Sequence, residues 1–110
     1  MRLRERDKQT VVLREPAGMD DEGTTWGAAT AIRAAVYPAG ERLDRRVYGE
    51  RVERMRLMLY DGAVRLRPGM GVALCGDAPQ YRIESVEAWS HQRALLAGLS
   101  EGRRGVDGGA

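Results

Sequence analysis

Six short runs of strand-forming residues lie between Thr10 and Leu99, each closed by Pro, Gly or Asp turn formers. Runs spaced about 8 to 15 residues apart, with turns between them, direct a chain into an antiparallel sheet that closes as a small barrel or sandwich. The first run, Thr10–Glu15, sets Val11 and Leu13 on one face and Val12 and Arg14 on the other. Residues 16–23 read as a loop, because Pro16, Gly18, Asp20, Asp21 and Gly23 favour turn conformations. Residues 24–38 are mixed: the alanines favour helix, whereas Thr, Ile, Val and Tyr favour strand. The shared parity of Ile32, Ala34 and Val36 assigns the second half to a strand.

The cleanest alternation runs from Val52 to Tyr60. Met55, Leu57 and Leu59 share one face, expected to be the core face, and Arg54, Arg56, Met58 and Tyr60 share the other. Met70, Val72 and Leu74 then lie on one face of a further strand. In the run 80–88, Tyr81 and Ile83 are out of phase with Val86, which predicts a β-bulge. Residues 93–99, with Leu95 and Leu99 flanking Ala97, form the last strand. The expected fold is mainly β: an antiparallel barrel of about six strands spanning 9–99, with a long loop projecting at 40–51. Residues 1–8 read as an exposed N-terminal arm or a short charged helix that carries no core, and the glycine-rich 100–110 as a flexible tail.

A chain of 110 residues forms one small domain, which excludes a two-domain enzyme. Phe is absent and aromatics make up 5% of the chain, so the core must be aliphatic and thin. The basic residues are 17 Arg and the single Lys8, against 16 acids, for a net charge of +2. That balance argues against a dedicated nucleic-acid binder with a strongly basic face. The N-terminus has no apolar core of a signal peptide, and no apolar run approaches the ~20 residues of a membrane helix. An intracellular, reducing site of synthesis is expected.

Candidate reactive groups are sparse. His91 and Cys75 are the only His and Cys, too few for a zinc site. Cys75, set between Leu74 and Gly76 in a strand, is expected to be a buried, inert thiol. No serine lies in a nucleophile elbow. The acidic turn of Asp20, Asp21 and Glu22 lacks the ligand spacing of a calcium loop, and the glycines around Pro68 lack the lysine of a phosphate cradle. No catalytic residue, metal or cofactor is expected. The Arg-rich stretch from Arg42 to Arg56 stands apart. It is either a solvated, self-neutralising loop, since its acids interleave with its arginines, or a set of guanidinium forks for phosphates or carboxylates.

In this order the residues resemble the head-tail joining or head-completion (stopper) proteins of long-tailed phages. Asp20, Gly23 and Trp26 match an acidic D-x-x-G loop followed by Trp. Ala35, Val36, Pro38 and Gly40, with Glu41 or Arg42 after them, occupy places comparable to those of an alanine-bearing strand ending in V-x-P-x-x-G-x-E. Gly76, Tyr81, Ile83 and Val86 approach a G-x-x-Y-x-I-x-x-V block, and Arg93, Leu95 and Leu99 fit the last strand. The resemblance covers residues 9–99. Two departures are an insertion of Ala78, Pro79 and Gln80 before Tyr81 and a longer, more charged segment around 48–62.

The resemblance implies a β-barrel subunit of a homo-oligomeric ring, about twelve copies by portal-type symmetry. The ring sits in the virion's head-tail connector and is assembled in the host cytoplasm. Its partners are the portal or an adaptor on the head side, a tail-completion protein on the other, and double-stranded DNA in the channel, with no membrane. The 40–51 loop, with Arg42, Arg45, Arg46 and Arg51, corresponds to the one that reaches toward that channel. Stopper, adaptor and minor capsid roles all remain open at this point. The competing reading is a small barrel that binds single-stranded nucleic acid, with Arg54, Arg56 and an exposed Tyr60 or Tyr81 as a stacking platform.

Overall fold

A computed structural model of the chain describes residues 3–20, 23–39, 45–88 and 90–99, without the side chains of residues 20, 45, 48 and 50–52. Six strands form a closed antiparallel barrel: β1 (Gln9–Asp20), β2 (Gly23–Pro38), β3 (Arg56–Tyr60), β4 (Gly71–Ala73), β5 (Tyr81–Ala88) and β6 (Gln92–Gly98). Around the barrel the order is β1-β2-β3-β6-β5-β4, and β4 pairs back onto β1 through Val12–Ala73, Leu13–Val72 and Arg14–Gly71. The mainly β barrel expected from the spacing of the runs is therefore the observed fold. The bulge expected in the fifth run is present as a register shift between Ile83 and Ser85. No described helix is long and apolar enough to cross a membrane.

The interior is aliphatic, as a chain without Phe requires. Val11, Leu13, Val72, Ile83, Met58 and Leu96 are among its most deeply buried residues, and among the described residues Tyr60 is the one aromatic buried with them. Tyr60 keeps its hydroxyl satisfied by accepting the Val64 N–H at 3.1 Å.

Three sequence expectations are corrected. First, Pro16–Asp20 and the start of β2 are not a loop. They form a two-stranded ribbon that runs on past the barrel wall, absorbing Pro16 and Gly18 as register shifts. Cross-strand pairing with a strong β2 outweighed the local turn preferences. Second, the interior face of β3 is that of Met58 and Tyr60, opposite to the one expected. Leu57 is also buried, but on the outer face, where it stands directly opposite Leu95; Met55 joins Ala39, Leu95 and Ala97 in a second apolar cluster there. Alternation could not choose between two faces that are both covered.

Third, residues 3–8 do not hang free. Leu3 is buried, a 3-10 turn spans Glu5–Asp7, and Lys8 ties the segment to the barrel. The expected tail 100–110 lies outside the described residues.

Candidate functional site

The excursion between β2 and β3 is the longest departure of the chain from the barrel. Its base is closed: Tyr37 and Pro38 at the end of β2 pair with Leu57 and Arg56, and the Ala39 N–H donates to the Met55 carbonyl at 3.3 Å. Both residues at this neck are buried, in the second apolar cluster. From there a short helix α1 (Arg45–Tyr48) leads through Gly49, whose φ of +63° suits glycine, into a 3-10 helix over Gly49–Arg54. The 3-10 helix rests on β6. A Cβ at Gly98 would lie 3.2 Å from the Arg54 carbonyl oxygen, so glycine there lets the two backbones approach.

The excursion is thus held to the barrel at its end, where Arg54 meets Gly98. Arg46 and Val47 are exposed at its outer part. Arg42 and Gly40 lie outside the described residues, as do the side chains of Arg45, at the start of α1, and Arg51, within the 3-10 helix. Where the excursion rejoins the barrel, the Arg56 guanidinium donates to the Met55 carbonyl at 3.0 Å. It also sits 5.8 Å from the centroid of the Tyr81 ring. Of the stacking platform considered for single-stranded nucleic acid, Tyr60 is interior and Tyr81 already carries Arg56 on its ring, while Arg54 is exposed.

The motif residues fall along the barrel in order. Asp20 and Gly23 pair at the tip of the β1–β2 ribbon, with Gly23 at φ +117°. Trp26 pairs with Pro16 and packs over Gly71 together with Pro79. Val36 packs against the core, and Pro38 ends β2. Gly76 takes φ +76° in the turn before β5, Ile83 is fully interior, and Tyr81 and Val86 pack against the core.

Three features escaped the sequence reading. Gln80, part of the inserted Ala78-Pro79-Gln80, staples the 74–80 turn. Its Oε1 accepts the Leu74 N–H at 2.8 Å, and its Nε2 donates to the carbonyls of Cys75 and Ala78, each at 2.8 Å. Arg14 donates to the carbonyls of Gly27 and Asp77, at 2.9 and 3.1 Å, pinning the ribbon to that turn. Lys8 Nζ lies 3.0 Å from Asp61 Oδ1, and Asp61 Oδ2 accepts the Leu3 N–H at 3.2 Å. The bond from Lys8 holds the Asp61 carboxyl below its ordinary pKa, and Asp61 in turn raises that of Lys8; Glu5 is lowered chiefly by its bond from Arg33. Such long-range partners have no sequence spacing to betray them.

Cys75, expected to be buried, is exposed, because the chain leaves β4 at Ala73 and Cys75 belongs to the turn. Ser90 Oγ and His91 Nδ1 are 3.4 Å apart as exposed chain neighbours. Among the described residues no three His, Cys, Asp or Glu side chains are grouped to hold a metal ion.

Comparisons with protein-family models, curated proteins and solved structures found no match.

Proposed function

We propose that this chain is a structural protein of the head-tail connector of a long-tailed phage particle. In this reading copies of the barrel form a ring beneath the portal, close the DNA-filled head and present a docking face to the tail. The observation that carries the reading is the excursion 39–55. It leaves the barrel at the V-x-P end of β2 and returns at Met55, on a neck fixed by the Ala39–Met55 bond and the second apolar cluster. A charged loop on a rigid neck suits a channel lining. Arginine contacts to phosphate are independent of base sequence, and the interleaved acids Glu41, Asp44 and Glu50 keep them weak enough for DNA to pass later.

Small barrels host many functions, so the fold alone does not select this one. The ordered motifs and the position of the excursion support it. A ring also suits a subunit with a thin core, since a heterologous contact repeated around an axis closes on itself and adds buried surface to each copy. The test is simultaneous replacement of Arg42, Arg45 and Arg46 by Ala. Folding should be preserved, with an unchanged far-UV spectrum, while particles should lose packaged DNA. Full DNA retention by the variant would overturn the channel role.

A further inference from the structure

The barrel is closed, yet among the described residues β2 carries the longest stretch of strand paired on one side only. β2 pairs with β1 along nearly its whole length but with β3 only at Ala35–Pro38, so Gly23–Ala34 is laddered on one side only. Ala28, Ala29, Thr30 and Ala31 are all exposed, on both faces of the strand. From Gly23 to Ile32 there is no charged residue, no Pro and no Lys, in a chain that is 31% charged. Natural edges are usually blunted by such residues, and this one is not. The other edge of the ribbon is blunted: β1 there carries Pro16, which has no N–H, an extra residue between Pro16 and Gly18, and Glu15 held in an ion pair with Arg67, while β2 carries a single irregularity, an extra residue between Trp26 and Ala29.

We infer that the free protein pairs with a second copy of itself along this edge, β2 against β2, antiparallel about a two-fold axis. Three observations favour a second copy. The uncharged stretch Gly23–Ile32 meets itself without like-charge repulsion, whereas the outer surface of β5 and β6 carries the pair Glu87–Arg93, which a self-contact would set against its own kind. The small side chains of Gly27, Ala28, Ala29 and Ala31 allow close approach. A two-stranded ribbon beyond the barrel wall is marginal by itself, and pairing converts it into a four-stranded sheet, β1-β2-β2-β1. Centring the axis on the uncharged stretch Gly23–Ile32, between Gly27 and Ala28, sets Thr25 opposite Thr30 of the second copy, and the extra residue of β2 at 27–28 brings both onto one face as a favourable cross-strand pair. A two-fold contact closes at two copies, so this dimer is a state of the unassembled protein and stands apart from the ring reading.

Sedimentation equilibrium of the full chain tests it. The wild type should show a concentration-dependent species of twice the monomer mass, and the A28K/T30K variant, whose changes fall at exposed positions, should be monomeric with an unchanged far-UV spectrum. A wild type that stays monomeric, a larger assembly, or a dimer that survives in a folded lysine variant would each overturn the inference. If the lysine variant misfolds, Thr25→Cys with Thr30→Cys in a Cys75→Ser chain decides. Directly opposed strand residues lie within disulfide reach, so mild oxidation should give a covalent dimer, and persistence of the monomer would refute the pairing.

Discussion

Trp26 and Gly71 are in a contact that only glycine permits: a Cβ at Gly71 would stand 2.8 Å from Cζ3 of the indole and 2.7 Å from Cγ of Pro79. Two rigid rings flank the site, so neither can swing aside, and the ribbon is locked to the barrel where β1 meets β4. Gly71→Ala should therefore destabilise the fold by about 1–3 kcal/mol through overpacking, lowering the melting temperature by roughly 4 °C or more. Thermal unfolding followed by tryptophan fluorescence measures this. An unchanged midpoint would mean that the indole does not seat there.

Asp61 is the anchor of the N-terminal segment, and its pH dependence follows from the direction of its shift. Its folded pKa lies below its ordinary value because Lys8 bonds to it, so its contribution is present above the ordinary value and is lost as pH falls through the folded one. Lys8 is raised by Asp61, so its share is complete below its ordinary value and is lost as pH rises through the folded one. Asp61→Asn should lower the melting temperature near neutrality, and the difference from wild type should narrow steadily on acidification. Hydrogen exchange of the Leu3 amide should quicken in the variant. A difference that does not vary with pH would contradict the clasp.

Met58 and Leu57 separate the two sides of β3. Met58 is fully enclosed in the barrel, and Met58→Ala should cost about 2–5 kcal/mol. Leu57→Ala, on the outer face, removes a side chain from a thinner layer and should cost less. Chemical denaturation of the two variants gives the comparison, and the reverse order would restore the face first expected from alternation.

The strands were legible in the sequence because short alternating runs and turn formers act locally. The bulge in β5 was legible for the same reason, as a break in parity between Ile83 and Val86. The orientation of β3 was not: the cluster of Met55 with Leu95 buries its outer face, and that covering comes from residues far along the chain. The ribbon was hidden too, since Pro16 and Gly18 signal turns and only pairing with β2 holds them extended. Of the candidate site, the end of a strand at Pro38 and the strand that holds Arg56 were legible from turn formers and alternation, and the pairing that joins them into a neck was not. The bonds of Arg14, Gln80 and Asp61 arise from tertiary contact alone.

The central claim, a head-closing connector ring, is tested most directly by electron microscopy of particles made with this gene deleted, scoring heads, tails and their joining. The account predicts tailless heads that have lost their DNA beside free, complete tails, with joining restored when the intact chain is supplied. Normal joined, DNA-filled particles would contradict it.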